Sequence, residues 1–454
     1  MANDGGITKE FLESALKQPI DKFEVKSGSN LGDGYTCELQ SVDVWTVGKD
    51  EPQNIVIKCY PTNVSRQAFL DAGGSFMIEL EMYKTMFPEL LKFQEDAGVE
   101  KVIEIPAPPM IHGRYISPDE RKNLPSPFKA VDNNIIMPDL RTKANGSYRL
   151  RDKFVGFDLN HYYLVIEAQA KLHALSWAYK CKTGTDNLTA KYPFLRPKFE
   201  KMIKMMQPLM DANYELSKQT IKDHPAQVKA IEYLQSIQKS SGGLYWNFEY
   251  GQTALGHTKD NILKRPLPAV ENEKPWDVVL HGDSWGNNMM FRYDEQTGRP
   301  VEVLLVDFQM SNEGDPFLDI CYTLYVSVVP EVREKHLSSF LRVYYDTFTQ
   351  ICDKLSVPYL PGWSWDELNR RFHRAKIIGA TMCCTVLPII LKNLDELTNL
   401  DSAADAEEQN GNSTDELESG ANFFAGLSKS EKENPILKSR LLAVFTEMVE
   451  DGIL

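Results

Sequence analysis

The sequence predicts an α+β fold with segregated elements, and three observations predict it. The first third alternates β-type runs with turn signals. The middle and C-terminal parts carry helical spacing. A single β pair interrupts them, with no alternating βαβ order. At 454 residues the chain is long enough for two domains and a large core. Apolar content of 42% and charged content of 25% are ordinary for a globular protein. A net charge of −14 argues against nucleic acid or an anionic membrane as a partner, since both call for a basic surface. It leaves room for a small anionic ligand held by a few local cations.

Taken in order, ELQSVDVWTV and NIVIKCYP read as strands joined by the polar turn GKDEPQ. FMIELEMYKTMFPELLKFQEDAG has helical spacing, and NNIIMPDL is a short apolar strand ending in a turn. LNHYYLVIEAQAKLHALSWAYK, PFLRPKFEKMIKMMQPLMDANYELSKQTI and AQVKAIEYLQSIQKSS are helical. After the β pair the helical pattern resumes in FLDICYTLYVSV, EKHLSSFLRVYYDTFTQICDKL and WDELNRRFHRAKIIGATMCCTVLPIILKNL. Residues 401–420, DSAADAEEQNGNSTDELESG, are acidic and poor in apolar residues, which predicts a disordered surface loop. The start, MANDGGITKEFLESALKQPI, lacks a basic n-region and a long apolar run. The seven cysteines form no CxxC pair, so reduced thiols and a cytoplasmic location are expected. The sequons at Asn63, Asn145, Asn187 and Asn412 read as chance matches.

The β pair contains VVLHGDSWGNNMMF, residues 278–291, where apolar runs flank a polar centre. Asp283 and Asn288 give H-G-D-x-x-x-x-N, and VEVLLVDFQ then places Asp307 at the end of an apolar strand. YDEQTGRP supplies a turn between the two, so the flanking runs can pair as a hairpin with Asp283, Asn288 and Asp307 at one end. Phosphoryl transfer needs such a set: one carboxylate to take the hydroxyl proton, and a carboxylate with an amide oxygen to hold Mg²⁺ against nucleotide phosphates. Asp283 is then the base, His281 braces the loop as its catalytic companion, and Asn288 and Asp307 are the metal ligands. A β-turn would explain H-G-D alone; the offset, the flanking strands and the later V-D-F carry the reading.

The first third offers matching parts. Gly32 and Gly34 lead into a strand, where backbone N–H groups can approach phosphates, although Cys37 stands where GxGxxG would place a third glycine. Lys58 lies in an apolar strand and can reach the α/β-phosphates or simply snorkel. Glu79 on the following helix is its preferred partner, because Phe76, Leu80 and Tyr83 flank it; Glu81 competes. There is no Walker motif and no Rossmann GxGxxG in a βαβ unit.

Gly32-Asp33-Gly34-Tyr35, Lys58, Glu79-x-x-x-Tyr83, Leu172-His173-Ala174, His281-Gly282-Asp283-x-Trp285-x-x-Asn288 and Val306-Asp307-Phe308-Gln309 resemble the ecdysteroid kinase-like family. That family is grouped with choline kinases and aminoglycoside phosphotransferases in the protein kinase-like fold. The resemblance runs from about residue 20 to about residue 395. It implies an N-lobe over 1–135, a hinge over 136–143 and a C-lobe over 144–454. It implies ATP and Mg²⁺ in the cleft, with IIMPDL as hinge and Asp139 following the adenine-contacting backbone. It implies a small-molecule alcohol as acceptor, with ecdysteroids the named class. Choline, an amino sugar or a xenobiotic alcohol is the alternative, and a nucleotide-binding pseudokinase is another. No obligate protein partner is evident.

A protein kinase needs a long segment from D-F-G to A-P-E to dock a peptide. Here Gln309 replaces that glycine, no A-P-E follows, and Asp315-Pro316-Phe317-Leu318-Asp319 opens a helix almost at once, which favours a small substrate. Asp319 is either a first-turn helix residue or a brace for the catalytic loop. His173 reads as a packed helical histidine. Trp285 either lines the acceptor pocket or packs the loop, and Trp363 and Trp365 read as core anchors.

Overall fold

The computed structural model describes residues 6–28, 37–196, 199–240, 275–392 and 434–454. Gly32, Gly34 and the acidic 401–420 stretch lie outside the described residues. Helix α1 (Lys9–Leu16) precedes strands β1 (Ile20–Ser27), β2 (Glu38–Thr46) and β3 (Gln53–Cys59). With β4 (His112–Arg114) and β5 (Asn134–Pro138) they form an antiparallel sheet of order β1-β2-β3-β5-β4. Strand alternation divides β3 between two jobs. Ile55, Ile57 and Cys59 are fully buried in a core with Leu12, Val42 and Val44. Val56 and Lys58 share the opposite face, which lines a cleft.

The sequence reading did not foresee α2 (Val64–Gly73). Its start is set by Asn63, whose side chain accepts the N–H of Arg66 at 3.0 Å. It ends at Gly74, which adopts the left-handed conformation at φ 68°. Helix α3 (Ser75–Glu81) then runs through a wide π turn at Met82–Met86 into α4 (Phe87–Asp96). The cause is Pro88: it has no N–H to give, and its ring would strike the carbonyl four residues back. Phe87 instead donates to Met82, five residues back, so one extra residue relieves the turn.

The chain leaves the sheet after Pro138 and enters a mainly helical part. Strand β6 (Arg149–Leu150) is followed by α5 (Leu159–Thr183), α6 (Phe199–Thr220) and α7 (Pro225–Ser240). Helix α5 is apolar on most sides and therefore lies in the middle of this lobe. Strands β7 (Val278–Leu280), β8 (Met289–Tyr293), β9 (Pro300–Leu305) and β10 (Asn312–Gly314) come next. Helices α8 (Phe317–Val326), α9 (Pro330–Leu355), α10 (Trp365–Thr385) and α11 (Pro435–Glu450) complete the lobe. This is the α+β architecture expected, with a small β-rich N-terminal part and a larger, mainly helical remainder.

The strands around the polar bend do not pair with each other. Strand β7 pairs with β10, while β8 pairs with β9 through the YDEQTGRP turn and with β6 on its other side. The bend therefore spans two small sheets. Three sequons have structural tasks: Asn63 and Asn187 cap helices, and Asn145 donates to the carbonyls of Asn54 and Asp139. All seven cysteines are unbridged. Among the described residues no helix is long and apolar enough to cross a membrane.

Candidate active site

Lys58 meets two carboxylates from distant parts of the chain. Its Nζ donates to Glu79 Oε2 and, at 2.7 Å, to Asp307 Oδ1. Glu79 is the partner rather than Glu81, which accepts from Thr85 on its own helix. Burial opposes the Lys58 charge, but Asp307 and Glu79 outweigh it and hold the ammonium well above its usual range. Burial drives the Glu79 carboxyl up to about 7 against the pull of Lys58. Phe308 ties this set to the helix that carries Glu79. Its ring lies edge-on to Tyr83 at 5.9 Å and to Phe87 at 4.9 Å, and packs on His281 at 4.7 Å.

The bend at 281–288 is held from all sides. His281 is fully buried. Its Nε2 lies 2.9 Å from the Val306 carbonyl, and its Nδ1 accepts the N–H of Asp283 at 3.3 Å. These partners select the tautomer protonated at Nε2. His281, expected to brace the loop as the companion of Asp283, does so as a buried positioning residue away from the reacting atoms. Asn288 Nδ2 donates to the Asp283 carbonyl at 2.8 Å and to Asp283 Oδ2 at 3.0 Å. Both amide hydrogens are thus used, and only Oδ1 of Asn288 remains for a cation. Asp307 has φ 67°, a left-handed conformation that aspartate tolerates better than most side chains. Asp283 is half-buried, and burial together with the Asp307 charge pushes its carboxyl up to about 6. His281, Tyr322 and Asn288 pull the other way.

Two helices supply the scaffold beneath. On α5, Gln169, His173, Ser176 and Lys180 form a polar stripe at intervals of four, three and four residues, one face of the helix. They bond to Ser284, Asp319, the Val279 N–H and Glu313 respectively. On α8, Asp319 accepts the N–H groups of His281 at 2.7 Å and Gly282 at 2.9 Å. Asp319 is therefore a brace. Its burial would raise the carboxyl, but His173, His281 and the Gly282 N–H hold it below the usual range. His173 also pairs with the Tyr344 hydroxyl at 3.0 Å, as a packed helical histidine would. Trp285 is only 7% exposed and packs the loop. Tyr322, Thr323, Gln169 and Ser327 were not singled out in the sequence. For the α8 members the available signal was spacing, since Tyr322 and Thr323 follow Asp319 by three and four residues.

A cleft of ≈ 580 Å³ runs from this set to the end of β5. Leu39, Val56, Met137 and Met290 give it apolar walls, while Lys58, Asn288 and Asp307 close its polar end. At the other end the Asp139 side chain is not available to a ligand. Arg141 donates to both its oxygens, at 2.8 and 2.7 Å, and Ser41 donates at 2.7 Å. The expectation that Asp139 binds cofactor is corrected accordingly: it fastens the hinge turn. The neighbouring backbone is open. Pro138 stands opposite Ile55, and Asp139 donates its N–H to the Asn54 carbonyl at 3.0 Å. Alternation in an antiparallel ladder then points the Pro138 carbonyl away from β3. That carbonyl and the Leu140 N–H have no hydrogen-bond partner among the described residues, and both residues line the cleft.

The donor set suits Mg²⁺ in one mode. Among the described residues no group of three His, Cys, Asp or Glu could hold a metal. Asp307 and Asn288 supply hard oxygens, and Mg²⁺ commonly takes few protein ligands with phosphates and waters filling the rest.

Fold and site together define a small-molecule kinase-like protein. The sequence model of the ecdysteroid kinase-like family matches residues 31–357, most of the chain, and the chain belongs to that family. No curated protein matches the sequence. Similar solved structures include choline kinase from Cryptosporidium parvum, at 13% identity and TM-score 0.37 over 100% of this chain and 94% of that one. Ethanolamine kinase from Plasmodium vivax has 12% identity and TM-score 0.32 over 92% and 83%. A GDP complex of an aminoglycoside 2′-phosphotransferase has 12% identity and TM-score 0.31 over 92% and 96%. At such scores the assignment rests on the family match.

Proposed function

We propose that the protein is an ATP-dependent kinase that transfers the γ-phosphate to a hydroxyl of a small molecule, with an ecdysteroid or related sterol as acceptor. One observation carries the reaction type: Lys58 bonds Glu79 and Asp307, Asn288 bonds Asp283, and Lys58, Glu79, Asp307 and Asn288 all line one cleft whose other walls are largely apolar. The family's name supports the acceptor class.

The base fits between the apolar walls. Its 6-amino group would donate to the Pro138 carbonyl, and its N1 would accept the Leu140 N–H. Guanine offers the reverse pattern at those positions, so ATP is preferred over GTP. Lys58 reaches toward the phosphates. Asp307 and Asn288 would hold Mg²⁺, which would supply positive charge against the phosphate oxygens. Asp283, with its carboxyl near 6, is ionised at neutral pH yet basic enough to take a proton. The acceptor O–H proton passes to Asp283 and the acceptor oxygen bonds to the γ-phosphorus. The bond from that phosphorus to the bridging oxygen breaks, and ADP leaves. Nine residues separate Asp307 from the helix that begins at Phe317, and β10 occupies three of them. That leaves no platform for a peptide and supports a small acceptor.

The test is ATP-dependent phosphorylation, followed by mass shift, across ecdysteroids, sterols, choline and amino sugars, with Asp283→Asn alongside. A phosphate added to an ecdysteroid, and absent with the variant, is the expected result. Transfer only to choline or an amino sugar replaces the acceptor class. ATP binding without any product points to a pseudokinase.

A further inference from the structure

Helix α8 grips the catalytic loop along one face. Asp319 takes two backbone N–H groups, and Thr323 Oγ1 donates to the Ser284 carbonyl at 2.6 Å. Ser327, just past the helix, accepts the Gly286 N–H at 2.9 Å. These contacts all hold backbone. Tyr322, on the same face, is different: its hydroxyl donates to Oδ1 of Asp283 at 3.0 Å.

We propose that Tyr322 is a positioning residue for phosphoryl transfer, fixing the plane of the Asp283 carboxylate so that it meets the acceptor hydroxyl in one orientation. The inference rests on the kinase reading above. A carboxylate on a pinned backbone can still turn about its last bond. Asn288 holds Oδ2 from one side of the loop and Tyr322 holds Oδ1 from α8. Two donors on different oxygens, mounted on different elements, stop that rotation. Tyr322 is 3% exposed, so its ring is itself fixed by packing. A phenol that remains protonated can only donate to a carboxylate, and burial with the Asp283 charge keeps it protonated. Near-attack geometry tolerates little error, and a misplacement of about 1 Å can lower a rate by about 10²-fold.

The test uses Tyr322→Phe, which removes one oxygen and keeps the ring. ADP release from Mg·ATP is followed with ecdysone as acceptor and with water alone, and nucleotide affinity and stoichiometry are measured by calorimetry. The expected result is a fall in kcat of about 10- to 100-fold, with the KM for ATP and the binding stoichiometry unchanged. Installing p-aminophenylalanine at 322 returns an N–H donor and should restore most of kcat, whereas p-methoxyphenylalanine should not. Wild-type kcat in Tyr322→Phe, or equal kcat in the two installed variants, overturns the proposal and leaves the kinase reading intact. No ADP release from the wild-type protein under either condition overturns both.

Discussion

The carboxylate of Asp319 accepts the backbone N–H of His281 at 2.7 Å and, through its other oxygen, that of Gly282 at 2.9 Å. A residue 1% exposed in a helix thereby sets the conformation of a loop 37 to 38 positions earlier in the chain. Asparagine has one acceptor oxygen where two are needed, so Asp319→Asn turns an amide N–H₂ toward a backbone donor. Loss of about 2–4 kcal/mol is expected in chemical denaturation, with turnover gone even where the protein remains folded.

Asp283→Asn should leave folding and Mg·ATP binding near wild type and reduce transfer by about 10²- to 10⁴-fold. Calorimetry with a non-hydrolysable ATP analogue and a transfer assay on one preparation check both parts. Unchanged turnover would remove Asp283 from its role.

Lys58→Met takes the cation from between two carboxylates. Glu79, already raised to about 7, rises further without it. From its unfolded value up to pH 7 the folded protein of both forms binds a proton that the unfolded chain lacks, so both lose stability equally. Above pH 7 the wild-type Glu79 has ionised and its loss stops, whereas the variant continues to lose. The stability gap should therefore be wider at pH 8 than at pH 6, as paired denaturation curves would show.

Gly282 has φ 82°, and a Cβ there would lie 2.0 Å from the Met310 carbonyl oxygen. Backbone cannot yield as a flexible side chain would. Gly282→Ala should shift the loop, lower stability by about 1–3 kcal/mol and reduce turnover more than nucleotide affinity. Thermal melts and kinetics report the two effects separately.

Asp315 is buried and pushed up to about 6, chiefly by that burial. Its Oδ1 accepts the Phe317 N–H at 2.9 Å, a bond that asparagine can also make. Between the ordinary aspartate value of 3.8 and about 6 the folded state holds a proton that the unfolded state has lost, so wild-type stability falls as pH rises. Asp315→Asn lacks that loss. Relative to wild type it should gain about 1–3 kcal/mol between pH 4 and pH 7.

Legibility in the sequence followed the range of the interactions. The β8–β9 hairpin was readable because its turn and strands are contiguous. The π turn at Met82–Met86 was not foreseen, although Pro88 marks it, because helical periodicity alone does not register one added residue. Helix α2 carries no strong helical periodicity of its own, and its start is marked only by the Asn63 cap. The role expected of Asp139 is what the family resemblance implies, whereas the fold brings Arg141 and Ser41 onto its carboxylate.

By itself the sequence determined which chemical groups are present and which strands carry them: a lysine in an apolar strand, an aspartate and an asparagine five apart, and a second aspartate at a strand end. Residue type and short-range spacing suffice for that, since strand and helix periods are local properties of the backbone. Only the tertiary structure decided that Glu79 and Asp307 share one ammonium, that His281 is buried, and that Asp319 and Tyr322 grip the loop from beneath. Those contacts join residues 21 to 249 positions apart. They form because packing around α5 and α8 brings the buried polar groups into bonding distance, where an unpaired group would be costly.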